Sequence, residues 1–572
     1  MASTFYVENF GCRAARADGE AVGAWLRDAG LCERQSSEAE VVIVNTCSVT
    51  AEADRAARAF IRRAHRLNPE AKIVVTGCYA QRAPGELAGL GGVAAVVGNS
   101  HKALVPEIVR GLADAGLTDA GLTDAGLTGA GQAAENNRNL RVIGEEQPSR
   151  AKAPIDFAGL MYGLKPIPFT EMGNSAFGQA PIWADDLFAH SFLEGARVVP
   201  GAQTRPNLKI QEGCGNRCSF CVIPQTRGPS KSLPVASILR QVEGFVAAGG
   251  NELVLSGINL GRWGRDFSDT LPGQSARESW FPTLATECEP QVLRLAALAQ
   301  DDSKDGARSP SGRSRPGSAP RTLAALVREI IEGTALKRLR LSSIEPMDWD
   351  AELIGLMAEF GGTRLARHAH LPLQSGSDAV LRRMHRRYRP WHYAAKVEEL
   401  VRAAGPELTL GADVMVGFPG ETESEFEETV ALVRALPFGY LHLFPFSPRP
   451  ATLGWALHAE RPVPAEAVAE RMAVLRALAA VKSESHRRRF VGCELEAITL
   501  HTPAEVDARG RSAALTENFL PVTVDGRFEA NRLARLRVSG IDAEGTLEAR
   551  LPDDFRGRVS NPGLLLNEIA FK

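Results

Sequence analysis

Through the first 110 residues, short β-branched apolar runs alternate with longer stretches of helical spacing. "TFYVENFG" (4–11), "VVIVNTC" (41–47), "KIVVTGC" (72–78) and "VAAVVGN" (93–99) have the length and composition of strands. Between them, Glu20–Ala29 and Ala51–Arg66 pattern as helices. Strands separated by helices do not pair as hairpins, so this rhythm predicts a doubly wound parallel sheet with helices on both faces.

A second βα series begins near Leu208. Its strands are expected at "NLKIQ" (207–211), "ELVLSG" (252–257), "RLRLSS" (338–343), "HAHLPL" (368–373), "ADVMVGF" (412–418) and "YLHLFPF" (440–446). Six strands alternating with helices suit a partial (βα)6 barrel. Past a helix ending near His486 the texture changes to "GCELEAITL", "FLPVTVDG", "RLARLRVSGID" and "GTLEARL". Short strands with closely spaced turn signals predict a small all-β barrel. The expected fold class is therefore α/β with an all-β unit at its end.

Two interruptions break the pattern. "DAGLTDAGLTDAGLTGAG" (114–131) is a five-residue repeat too short for any solenoid, and 145–200 is weakly patterned; both read as insertion. "DDSKDGARSPSGRSRPGSAPR" (301–321) is polar and rich in Ser, Pro, Gly and Arg, a composition of disorder. The chain then divides into a sheet domain (1–112), insertions (113–200), a barrel (201–450, interrupted at about 268–320), a linking helical region (451–485) and the β-barrel (486–560).

The length of 572 residues suits three or so domains. A formal net charge of −2 means that any nucleic-acid binding must come from local basic patches. "MASTFYVENFG" lacks the basic start and apolar run of a secretory signal, and no stretch of about 18 apolar residues occurs. The reading is a cytoplasmic protein with no membrane partner, where thiols stay reduced and clustered cysteines serve metals or catalysis.

Three of the nine cysteines fall in "GCGNRCSFC" (213–221), spaced C-x3-C-x2-C behind the first barrel strand. Structural metal sites close with four protein ligands. Zinc with Cys288 as a distant fourth ligand is one option, although Cys288 lies within the interruption. The other is an iron–sulfur cluster with one iron left open. The position favours the cluster, because (βα) barrels build active sites at the C-terminal ends of their strands. Cys12, Cys47 and Cys78 each follow a predicted parallel strand, where open α/β sheets bind ligands. One such cysteine reads as a small buried residue; three at equivalent positions read as convergent ligands. Cys32 and Cys493 read as ordinary core residues.

"CGNRCSFC" after a first barrel strand resembles the signature of radical S-adenosylmethionine (SAM) enzymes. The resemblance implies a 4Fe–4S cluster on Cys214, Cys218 and Cys221, with SAM chelating the open iron and Phe220 near its adenine. Combined with three strand-end cysteines in an N-terminal sheet and a terminal β-barrel, the chain resembles the methylthiotransferases. That family likeness implies a second 4Fe–4S cluster on Cys12, Cys47 and Cys78, and an RNA-binding TRAM-like terminal barrel. It also implies that SAM is used twice, once to methylate cluster-held sulfur and once as the source of a radical that removes a substrate hydrogen. An electron donor and a sulfur source are then required as partners.

The wording "FGCRAARADGEA", "CSFCVIPQTRGPS" and "LRLSSIEPMD" resembles the subgroup that adds a methylthio group to C2 of N6-threonylcarbamoyladenosine at position 37 of tRNA. An isopentenyladenosine subgroup would carry a Ser-Pro-His-Pro-like segment where "SSIEP" stands, and a third subgroup modifies a ribosomal-protein aspartate. Relatives carry Asn where this chain has Ala15, which puts one pocket contact in doubt.

Further candidates lie at predicted strand ends. Gly257, Gly417 and Gly420 either let backbone approach SAM or substrate, or simply make tight turns. Asp413 and Glu345 are polar groups expected near the rim; His368, His370 and His442 read as core. "LRRMHRRYRPWHY" (381–393) offers Arg382, Arg383, Arg386 and Arg387 to phosphates and aromatics to bases; "HRRRF" adds Arg487 and Arg488. A non-enzymatic RNA-binding protein with structural metals would share these patches, but not two open three-ligand sets.

Overall fold

The computed structural model describes residues 3–114, 180–188, 204–267 and 322–552. All but the first residue of the repeat at 114–131, most of the 145–200 stretch, Cys288 and the polar interruption lie outside the described residues.

The first domain is a six-stranded, all-parallel sheet built from β1 (Thr4–Asn9), β2 (Cys32–Glu33), β3 (Val41–Thr46), β4 (Lys72–Gly77), β5 (Val93–Gly98) and β6 (Ile182–Trp183). Its order is β2-β1-β3-β4-β5-β6. Every residue of β3 is buried, as a central strand covered on both faces must be. Two apolar layers cover it, one around Phe60, Ile61 and Tyr79, the other around Phe5, Leu26 and Val109. The helix expected from Glu20 begins at Arg13 instead, directly after Cys12, because buried Ala14, Ala15 and Ala17 extend its packed face without a marked apolar period. β6 belongs to the stretch read as irregular insertion; a strand of two residues has no period to detect. Cys32 sits exposed on the edge strand β2, not in the core.

The second domain is a partial barrel. Its first ladder joins β7 (Asn207–Glu212), the short antiparallel β8 (Lys231–Ser232), β9 (Glu252–Gly257) and β10 (Arg338–Leu341) in the order β10-β9-β7-β8. The second joins β11 (His368–His370), β12 (Thr409–Val416) and β13 (Phe438–Pro445), all parallel. Helices pack outside, and one large apolar cluster runs from Leu208 to Leu475. Trp263 is fully buried and donates its indole N–H to Leu233 O at 3.0 Å, so the ring's burial, worth about 2–3 kcal/mol, leaves no polar atom unpaired.

The third domain closes five strands, β14 (Glu494–Thr499), β15 (Arg511–Thr516), β16 (Pro521–Asp525), β17 (Leu533–Ile541) and β18 (Leu547–Arg550), in the order β14-β15-β16-β18-β17. Alternating burial along β17 points every second side chain into its own small core. Cys493, just before β14, is exposed, contrary to the core position expected for it. Among the described residues no helix is long and apolar enough to cross a membrane.

Candidate active site

The order β2-β1-β3-β4-β5 makes the β1/β3 boundary a point where successive connections leave in opposite directions, the place where open α/β sheets hold ligands. Cys12 and Cys47 follow the two strands of that boundary, and Cys78 follows the next strand, β4. The register pairs Asn9 with Asn45 and Thr46 with Gly77, so the three strand ends are level. Gly11 has φ +103°, and a Cβ there would fall 2.5 Å from Cys47 Sγ. Glycine is thus what lets the β1 loop close over the thiol. Burial, with the Cys78 and Cys12 thiols nearby, pushes Cys47 up to about 12.

Nitrogen donors reach two of these sulfurs. Val49 N–H donates to Cys47 Sγ at 3.5 Å; Asn99 Nδ2 and Arg227 Nε donate to Cys78 Sγ at 3.4 and 3.2 Å. Arg227 is fully buried, and its Nη2 has no hydrogen-bond partner among the described residues.

The second set is carried by the loop after β7. Gly213, at φ +69°, starts it; a Cβ there would strike Pro229 O. Ser219 N–H reaches Met384 O and Cys221 N–H reaches Cys218 O, both at 3.1 Å. The sulfurs again accept N–H groups, from Asn216 N and Asn259 Nδ2 to Cys214 at 3.4 and 3.6 Å, and from Arg386 Nη1 to Cys218 at 3.4 Å. Burial pushes Cys221 up to about 12, with Cys218 and Cys214 adding to it. Phe220 packs on the barrel core beside this loop. Thiols that must lose a proton, paired with N–H donors, are the donor chemistry of iron–sulfur ligation, and both sets fit it.

Several sequence expectations move. Arg386, expected at phosphate, is buried, with Nη2 on Glu345 at 2.5 Å and Nη1 on Cys218, so no nucleic acid reaches it. Arg383 is held bidentate by Glu425 at 2.8 and 2.7 Å, Arg387 pairs with Asp348, and Arg487 caps the carbonyls of Ser483 and Gly545. Arg382 and Arg488 remain well exposed. Tyr388 and Tyr393 are buried with their hydroxyls on backbone carbonyls, which removes them as stacking platforms, whereas Trp391 is exposed.

Asp413 is mid-strand in β12, not at the rim. Its Oδ1 lies 3.1 Å from His370 Nε2 and 3.2 Å from His442 Nδ1. Burial would raise its carboxyl, but those two imidazoles hold it well below the usual range. Tyr440 links His370 to His368 through its hydroxyl, at 3.0 and 2.8 Å. His368 and His370 are buried as expected, while His442 is exposed. Gly417 and Gly420 have φ of +76° and +73°; the Gly417 N–H goes to Glu421 Oε2 at 2.8 Å, and a Cβ there would meet Val468. Both therefore serve the turn. At Gly257 a Cβ would meet Gln211. Ala15 is fully buried, and its carbonyl accepts from Asn45 Nδ2 at 2.5 Å. Arg227, Asn99 and Asn259 were not foreseen; Arg227 stands six residues past Cys221 in "IPQTRGP", with no period to mark it.

Residues 4–98 match an uncharacterized protein family, UPF0004, and residues 208–433 match the radical SAM superfamily. A Bacillus subtilis protein named threonylcarbamoyladenosine tRNA methylthiotransferase MtaB is 29% identical over 92% of this chain and 91% of its own length. Along most of its length the chain is similar to radical SAM methylthiotransferases. A Thermotoga maritima protein also named MtaB is 26% identical over 98% of this chain and all of its own. A Sorangium cellulosum protein named tRNA-2-methylthio-N(6)-dimethylallyladenosine synthase is 29% identical over 95% of this chain and 88% of its own. Among solved structures, the radical SAM methyltransferase TsrM from Kitasatospora setae aligns with TM-score 0.45 and 14% identity over 78% of this chain and 75% of that one.

Proposed function

We propose that this methylthiotransferase acts on tRNA, adding a methylthio group to C2 of N6-threonylcarbamoyladenosine at position 37, in the cytoplasm. The observation that carries the reading is the presence of two three-cysteine sets, each at the C-terminal end of parallel strands, with Arg227 of one loop reaching Cys78 of the other. With a 4Fe–4S cluster and SAM at Cys214, Cys218 and Cys221, and a second cluster at Cys12, Cys47 and Cys78, the chemistry available is reductive cleavage of SAM and presentation of a transferable sulfur. The electron donor and the sulfur source are separate partners.

The chain's own residues have definable tasks. Asn216, Asn259 and Arg386 stabilise thiolate charge in the barrel loop by donating N–H groups to sulfur. Phe220 and Gly257 flank that loop and the end of β9, where SAM would lie. Asp413, kept ionised between His370 and His442, is an acceptor for a donor group of the substrate. Arg382 and Arg488 pair with Asp378 and Glu484 one turn away but stay exposed enough to meet phosphates.

Nucleoside analysis of tRNA from a deletion strain tests the substrate. Loss of the methylthio mark on threonylcarbamoyladenosine supports the reading. Loss on isopentenyladenosine instead would transfer the assignment to the activity for which the Sorangium relative is named. Anaerobic reconstitution followed by a SAM cleavage assay tests the class; no 5′-deoxyadenosine above background would end it.

A further inference from the structure

At the contact between sheet domain and barrel, five charged side chains are buried together: Asp18, Lys102, Lys209, Glu212 and Arg227. Lys102 Nζ donates to Asp18 at 3.0 Å and to Glu212 at 2.6 Å; Lys209 contacts the same two carboxylates. Arg227 Nη1 donates to Asp18 at 3.0 Å and Glu212 at 2.5 Å. Among the described residues three cations thus share two carboxylates. Arg227 also donates Nε to Cys78 Sγ at 3.2 Å. Arg227 Nη2, buried and unpartnered among the described residues, leaves a second donor beside that sulfur.

We propose that Arg227 is a positioning residue through which the barrel's cysteine loop sets the reduction potential of the group held by Cys12, Cys47 and Cys78. This rests on reading those cysteines as cluster ligands. A cation and an N–H group aimed at a ligand sulfur favour the more negative, reduced form, so the potential rises. Because the helix Ile223–Arg227 begins two residues beyond Cys221, any shift of that loop moves the donor as well. Full burial excludes a role for Arg227 in holding nucleic acid.

The test uses the full-length chain carrying Cys214→Ala, Cys218→Ala and Cys221→Ala, which isolates the other set, reconstituted anaerobically. Arg227→Met removes the donor to Cys78 while keeping an unbranched side chain; Arg227→Lys restores the charge without the planar fork. Dithionite titration followed by EPR reads the potential, with iron per chain measured alongside. The expected result is a downward shift for Arg227→Met of at least tenfold in the one-electron reduction equilibrium, about 59 mV. Arg227→Lys falls between. Equal potentials in all three proteins at equal iron content would overturn the inference and leave Arg227 as packing. If Arg227→Met holds no iron, the Arg227→Lys comparison decides alone. Absence of any iron–sulfur signal with Arg227 intact would instead refute the ligand assignment itself.

Discussion

The ring of Phe519 lies against the imidazole of His368, centroids 4.2 Å apart, although the two residues belong to different domains. Phe519 sits on the turn between β15 and β16 at φ +70°, a conformation that side-chain-bearing residues adopt only at a cost. Its neighbours enforce that conformation. Arg340 stacks over its ring and donates to the carbonyls of Thr516 and Glu517, Arg367 pairs with Glu517, and Asn518 Nδ2 donates to Glu407 O. His368 opens β11 and Thr409 opens β12, so the turn plugs the N-terminal floor of the partial barrel. The plug then touches Tyr440, and through Tyr440 and His370 it adjoins Asp413.

Removing that ring should loosen the terminal barrel. Phe519→Ala loses stacking and leaves a non-glycine residue at positive φ, for a cost of about 2–4 kcal/mol. Phe519→Gly loses the ring but relieves the backbone, and should be less destabilised by about 1 kcal/mol. Limited proteolysis should release the C-terminal unit fastest from the alanine variant. Wild-type resistance in both proteins would mean that the turn is not the anchor.

Gly11 bears on the first cysteine set alone. Gly11→Ala drives a methyl group into Cys47 and strains the backbone, whereas Gly215→Ala, in the other loop, meets nothing within 4 Å. Iron after reconstitution should fall from roughly eight to roughly four per chain in the first variant and stay unchanged in the second. Equal iron in the two variants contradicts this division of labour.

His486 makes stability pH-dependent. Burial, aided by Arg489 and Arg487, pushes its imidazole down to about 4, and Nε2 bonds Thr409 Oγ1 at 2.9 Å. The unfolded chain takes up a proton near pH 6.5 that the folded chain refuses. Its contribution is complete above that value and is lost as pH falls from about 6.5 towards 4, reaching roughly 3 kcal/mol. Asp54 and Glu421, whose burial raises their carboxyls, oppose this trend, so the informative quantity is the difference from His486→Gln. Melting temperatures of the two proteins should converge at pH 5 and separate at pH 7.5; a constant gap would rule the titration out.

Arg382 and Arg488 should each contribute about one unit to the slope of log K against log salt for tRNA binding. Arg382→Ala and Arg488→Ala lower that slope; Arg386→Lys leaves it alone and lowers iron content instead, because its guanidinium faces Cys218 and Glu345. A reduced slope for Arg386→Lys at full iron content would restore that arginine to the RNA surface.

Local pattern alone determined where the longer strands fall and which six cysteines follow them, because strand burial writes apolar runs into the chain and C-x3-C-x2-C is a contiguous signal; the two-residue strands β2, β6 and β8 left no such run. Tertiary structure decided everything that depends on which distant groups meet. Arg382 and Arg386 look alike in "LRRMHRR", yet one points into solvent and the other onto Cys218. Asp413 acquires two imidazoles only because β11, β12 and β13 lie side by side. Arg227 reaches Cys78 across 149 residues of sequence. Periodicity records burial along one element, whereas charge pairing and ligand geometry arise between elements, which no one-dimensional pattern encodes.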